Sequence, residues 1–238
     1  MDYRTIRSAP LAPGQRQNPV LDEGVELSAE EVRVLGCLVE KAITTPDYYP
    51  LTLNSLLAAC NQKTSRDPVV EYGESEVLDA IDTLKQKGLA YRITSSDGGR
   101  VPRYEHNFFD GLRLDKAQGG ALCVLLLRGP QTVGEIRQRT GRIYPFESLQ
   151  EVEQALEDLA TKTPRPLTVK LERRPGEKEA RYAHLLSGEP AEPPASAESV
   201  APSRAAARDE RIEELEARVE KLEGDLERLR EQLQDLLG

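Results

Sequence analysis

Two histidines serve the whole chain of 238 residues, and they occupy equivalent places: Arg103-Tyr104-x-His106 recurs 78 residues on as Arg181-Tyr182-x-His184. Histidine is the side chain most ready to act as a general base or metal ligand near neutral pH. Either role needs carboxylate, cysteine or histidine partners converging from elsewhere. Repetition in the same local setting points instead to packing and hydrogen bonding, and the same caution covers Arg103 and Arg181, although an arginine on a strand can also reach a phosphate. Cys37, Cys60 and Cys123 show no paired spacing and fall in apolar helical patterns, as reduced core thiols of a cytoplasmic protein would. Gly98-Gly99 lies between two alternating runs rather than between a strand and a helix, so it cradles no phosphate. With no nucleophile elbow and no zinc spacing, the expectation is a protein that is not an enzyme, with no cofactor, metal or small-molecule substrate.

Two sets of polar residues remain as binding candidates. The irregular stretch Ala59–Val69 brings Asn61, Gln62, Lys63, Thr64 and Arg66 together on one connection, which suits a partner backbone or a phosphate. A helix C-cap at Asn61 followed by an Asp67-Pro68 turn explains the same residues without a partner, and both readings stay open. The second set is basic: Arg137, Arg139, Arg142, Lys170, Arg173, Arg174, Lys178 and Arg181 are candidates for a nucleic-acid backbone.

The elements that must position these residues come in two copies. In each, an apolar-periodic helix comes first (Val32, Leu35, Leu38, Val39; then Leu122, Leu125, Leu126), the first opening on the capping-box spacing Ser28-x-x-Glu31. A short helix then starts at Thr52 or Thr132. The third helix buries Val77, Leu78, Ile81 and Leu84, or Val152, Leu156 and Leu159, with Leu78 and Ile81 set on Leu156 and Leu159 at the offset of 78. Alternating runs 89–94 with 103–108, and 167–172 with 180–185, complete each copy as a β-hairpin. Three helices and a hairpin make a winged helix, so the predicted fold is α+β and mainly helical: winged-helix domains over 27–110 and 111–188, each with its own core.

Outside the domains, 1–26 has the composition of a flexible leader and 189–207 that of a Pro/Ala-rich linker. Over 208–238 the residues Ile212, Leu215, Val219, Leu222, Leu226, Leu229, Leu233 and Leu236 alternate spacings of three and four, the seam of a coiled coil and hence of a homodimer. β-Branched residues at a beside leucine at d favour parallel strands, while the charges leave antiparallel pairing open; a single amphipathic helix lying on its own domains is the alternative. No apolar run is long enough to span a membrane, so no membrane partner is expected.

The net charge of −9 argues against a dedicated polyanion binder: residues from 191 onward hold 13 acidic and 7 basic side chains, and the body is itself slightly acidic. The third helices, which a winged helix would lay in the major groove, carry Glu74, Glu76, Asp79 and Asp82, or Glu147, Glu151, Glu153, Glu157 and Asp158. Such charges oppose the counterion release on which DNA affinity rests.

The run LGCLVEKAITTPDYYPLTLNSLLAACNQKTSRDPV, with ESEV, LLLRGPQTVGEIR and RYAHLLSGE, closely resembles the bacterial YceH family of uncharacterised proteins over residues 27–189. The resemblance implies two winged helices and a cytoplasmic location, and it supplies no activity. Members commonly stop soon after the second wing, so the heptad tail is an addition. The expected role is a dimeric adaptor for an unknown protein partner, with DNA-backbone binding through the second wing as the alternative.

Overall fold

The computed structural model describes residues 26–93, 101–173 and 177–190. The leader to residue 25, Gly98-Gly99, Arg174, the linker beyond Pro190 and the heptad seam Ile212–Leu236 lie outside the described residues. The chain is α+β, about half helical among those residues, with two small antiparallel sheets.

The first copy runs α1 (Ala29–Thr44), β1 (Leu51–Thr52), α2 (Leu53–Cys60), α3 (Glu74–Gln86), β2 (Ala90–Ile93) and β3 (Arg103–His106). The second runs α5 (Lys116–Arg128), α6 (Val133–Arg139), α7 (Leu149–Ala160), β4 (Thr168–Lys170) and β5 (Tyr182–His184), after a one-turn helix α4 (Phe108–Gly111). Helix starts are set by side chains that satisfy backbone N–H groups the helix leaves unpaired. Ser28 and Glu31 form the reciprocal box expected of them, and Thr52 and Thr132 cap α2 and α6 by accepting from Ser55 N and Glu135 N.

Three features depart from the sequence-based expectations. The strand expected over 103–108 ends at His106, and α4 begins at Phe108, because Phe108 and Leu112 turn into the core instead of extending the hairpin. β1 adds a third strand, pairing Leu51 with Tyr104 and Thr52 with Arg103, and the second copy repeats this as a bridge between Gln131 and Tyr182. The buried faces of the third helices match at an offset of 75, placing Val77, Ala80, Ile81 and Leu84 on Val152, Ala155, Leu156 and Leu159. Leu78, set on Leu156 by the offset of 78, is only partly buried. The longer connection in the second copy makes up the difference before the hairpin: Leu89 N donates to Leu84 O in the first copy, and Leu167 N reaches back to Leu159 O in the second.

The two copies do not keep separate cores. The larger hydrophobic cluster joins Leu35, Leu38 and Ile81 of the first to Leu122, Leu126, Leu127 and Leu159 of the second, and a smaller one lies within the second around Leu125, Ile136 and Leu156. The contact between copies is α1 against α5. At Gly36 an added Cβ would lie 2.8 Å from Leu127 Cδ2 and 3.3 Å from Leu126 Cβ. Cys123 stands in α5 where Gly36 stands in α1, counted from the Ser28 and Asp115 caps, and its thiol donates to Gly36 O at 3.6 Å. Equivalent positions of equivalent helices therefore meet at the crossing. The chain ends of this body are also tied, Leu27 N donating to Leu186 O at 2.7 Å. No helix among the described residues is long and apolar enough to cross a membrane.

A crossing this tight has no room for a larger side chain. Gly36→Val is expected to lower stability by about 1–3 kcal/mol, the usual cost of overpacking a filled core, measured as a lower urea midpoint. In calorimetry the shared core should melt in one transition covering both copies; two resolved transitions would contradict it.

Candidate functional site

The stretch 61–72 is bonded to the body at several points along its length. Asn61 caps α2 and exchanges two hydrogen bonds with the Tyr72 backbone, Nδ2 donating to Tyr72 O at 2.9 Å and Oδ1 accepting from Tyr72 N at 2.8 Å. Gln62 accepts from Lys41 Nζ and donates to Thr64 Oγ1. Arg66, a candidate for meeting a partner, points inward instead. Its side chain is fully buried and forms a bidentate pair with Glu40, Nη1 at 3.0 Å and Nη2 at 2.6 Å, while Nε donates to Ala59 O. Asp67 N donates to Leu127 O, fastening the stretch to the end of α5. What remains outward is Lys63, Thr64, Asp67, Pro68, Val69 and Glu71, with Val69 53% exposed.

Beneath it lies a polar cluster that periodicity alone did not find. Arg33, Cys37 and Glu40 form one stripe of α1, a spacing that looks solvent-facing on an amphipathic helix. Here α1 is buried on every side from Glu31 to Val39, so each polar group needs an internal partner. Glu31 pairs with Lys87 at 2.7 Å. Arg33 is 4% exposed and donates to Cys60 O and Pro68 O, while its Nε has no partner among the described residues. Cys37 donates to Ala59 O at 3.3 Å. Burial pushes the Glu40 carboxyl up, but the hydrogen bond and charge of Arg66 outweigh it and hold that carboxyl below its ordinary range.

Several of the basic candidates are engaged, and Arg139 and Arg181 meet on one carboxylate, Glu135. Arg137 donates to Phe146 O and Glu147 O, and Arg139 pairs with Glu135 at 3.4 Å. Arg181 meets Glu135 at 3.0 Å and Glu177 at 3.3 Å and also donates to Pro130 O. Arg103 makes the equivalent bond to Pro50 O, so in both copies this arginine pins the last strand to the residue before the short strand or bridge. Lys170 Nζ lies 5.7 Å from the centre of the Tyr182 ring. Arg142, Arg173 and Lys178 are exposed and make no ion pair among the described residues. A shallow cleft of about 260 Å³ beside the second hairpin is lined by Thr132, Glu177, Lys178, Glu179 and Arg181.

The acidic faces are open. Glu74, Glu76, Asp79 and Asp82 on α3, and Glu153, Glu157 and Asp158 on α7, are all exposed. Glu151 is half-buried, accepting from Tyr144 Oη and Glu147 N. His106 sits among the rings of Tyr49, Phe108 and Phe109, and its Nδ1 accepts from Phe108 N at 3.3 Å. His184 is its counterpart, with Nδ1 buried and without a hydrogen-bond partner among the described residues. Among the described residues no group of His, Cys, Asp and Glu could hold a metal ion.

A family model described as "Protein of unknown function, DUF480" matches residues 27–177. A UPF0502 protein of Geobacter sulfurreducens is 57% identical over 164 residues, which is 69% of this chain and 74% of that protein. A UPF0502 protein of Chromobacterium violaceum is 56% identical over 173 residues, 72% and 77% of the two chains. One from Geotalea uraniireducens is 52% identical over 198 residues, 81% and 88% of the two chains.

Two outcomes follow from this chemistry. Glu40→Gln leaves the Arg66 guanidinium buried beside a neutral partner and should cost about 3–5 kcal/mol in urea melts, the usual penalty for breaking a buried pair. Burial lowers both histidines from the ordinary value of 6.5 to about 4. The unfolded chain therefore takes up protons first as the pH falls, so their contribution is fully present above 6.5 and is lost between 6.5 and 4. The double variant His106→Gln, His184→Gln should flatten the pH dependence of the urea midpoint across that window; an unchanged slope would exclude the histidines as its source.

Proposed function

From the chain's membership of the DUF480 family, we propose a non-enzymatic adaptor built of two tandem winged helices, acting through protein–protein contacts in the cytoplasm. The observation that carries this proposal is the charge of α3 and α7. These are the helices a winged helix would offer to the major groove, and their exposed faces are lined by Glu76, Asp79 and Asp82, and by Glu153, Glu157 and Asp158. Placed against phosphates, those carboxylates oppose binding; placed against a protein, they select a partner by charge. The stretch 61–72 supports the same role. Its internal bonds remove most of the entropy cost of ordering a loop on binding, and it holds Lys63, Thr64 and Val69 outward.

The tail over 208–238 would join two such bodies through the seam Ile212–Leu236, in parallel or antiparallel. DNA-backbone contact through the second wing is the second reading, favoured by the exposure of Arg142, Arg173 and Lys178 without ion pairs among the described residues.

The two readings separate by charge. Nuclease-treated lysate passed over the immobilised full-length protein should yield a retained partner that Lys63→Glu with Val69→Asp releases and Arg173→Glu with Lys178→Glu does not. Under the DNA reading nuclease removes all bound material, and the wing variant loses a salt-sensitive duplex signal in fluorescence anisotropy. Truncation after residue 207 should convert a dimer to a folded monomer in light scattering; an unchanged assembly would take the tail's role away.

A further inference from the structure

We propose that residues 69–72 are a strand without a partner, and that the protein recognises an extended basic peptide by adding it to their free edge. This deepens the adaptor reading, on which it rests, by naming the form and charge of the partner segment.

The segment has the pattern of a strand. Val69, Val70, Glu71 and Tyr72 run without turn or bend and alternate exposed, half-buried, exposed, half-buried. Two β-branched residues and an aromatic one suit that conformation. Gly73 continues it with extended backbone, φ −85° and ψ 172°, before α3 begins. None of these residues belongs to either sheet. In the second copy the corresponding connection turns instead, Ile143 N and Tyr144 N both donating to Thr140 O. The extended run is therefore no requirement of the repeated fold.

Along a strand the N–H and C=O of one residue point to one side and those of the next residue to the other. Pro68 O accepts from Arg33 Nη2, and Tyr72 N and O exchange two bonds with the Asn61 side chain, so residues 68 and 72 are turned to the body. Val69 and Glu71 are turned the opposite way. Among the described residues no hydrogen bond reaches their N–H or C=O groups. Both ends of the run are anchored, at one end by the buried Arg33 and at the other by Asn61, which lowers the cost of ordering it on a partner.

Main-chain groups in this alternation fit the backbone of an extended chain, which pairs with them whatever its side chains. Charge narrows the choice. Residues 67–76 include Asp67, Glu71, Glu74 and Glu76, all exposed, and no basic residue. The arginine just before them, Arg66, is buried and paired with Glu40. Val69 adds an exposed apolar position on the same side as Glu71. The complement is a segment with a β-branched residue opposite Val69 and, two residues along, a lysine or arginine opposite Glu71.

The probe is a fluorescein-labelled heptapeptide with threonine at its odd positions and lysine, valine, lysine at its even ones, titrated against the full-length protein in fluorescence anisotropy. It should bind, and Glu71→Lys should weaken it about fivefold. N-Methylating the even or the odd amides removes donors from one edge of the peptide at a time. One of these two peptides should bind about tenfold more weakly and the other unchanged. Amide exchange followed by NMR should slow at Val69 and Glu71 on binding and stay as it was on β2 and β4. No binding, equal affinity of the two methylated peptides, or protection on β2 or β4 instead would overturn the proposal. Protection of Val69 and Glu71 that rises with protein concentration before peptide is added would put a second copy on the edge, and would overturn it too. A partner retained from lysate while the peptide fails leaves the adaptor reading standing; peptide binding with no retained partner removes that reading and keeps the edge.

Discussion

The crossing of α1 and α5 at Gly36 is the constraint on which the rest depends. A glycine at this position lets the side chains of Leu126 and Leu127 pack directly on the α1 backbone, with Cys123 Sγ reaching the Gly36 carbonyl. α1 is then enclosed by its own copy on one side and by α5 on the other, and every residue from Glu31 to Val39 is buried. Enclosure turns polar positions that would ordinarily be solvated into obligations. Glu31 has Lys87, Glu40 has Arg66, and Arg33 has two carbonyls, because an unmatched buried charge costs several kcal/mol. These pairs in turn hold the stretch 61–69 against the body.

The repeat separates architecture from what distinguishes the copies. Thr52 and Thr132 cap, Arg103 and Arg181 hold the last strand to Pro50 and Pro130, and His106 and His184 sit half-buried with lowered proton affinity. Groups that recur in one place in both copies serve the fold. What differs is the buried Arg33–Cys37–Glu40–Arg66 cluster under the first copy's long connection, and the second hairpin's lysines and arginines. Specific recognition or chemistry belongs in those differences.

Local signals were legible in the sequence and enclosure was not. Caps, helix order and the hairpins follow from neighbouring residues, so Ser28-x-x-Glu31 and the strands around Tyr104 and Tyr182 could be found by spacing. β1 is two residues long and exists only through a partner far along the chain. Phe108 continues an alternating run and gives no local sign that the chain turns into a helix there. Asn61 as a C-cap was one of two readings and is realised, whereas Arg66 looked outward because a basic residue in a polar loop usually is. Arg33, Cys37 and Glu40 form a polar stripe covered by the end of α2 and the stretch beyond it, through Ala59, Cys60, Arg66 and Pro68, which no periodicity within α1 can report.

The central claim is that the two copies form one body through that crossing. Residual dipolar couplings of backbone amides in α1–α3 and α5–α7, measured on the weakly aligned chain, test it most directly. One alignment tensor should fit both sets with the orientation described here. Two tensors of different magnitude or direction would mean that the copies move independently and that α1 is not enclosed in solution.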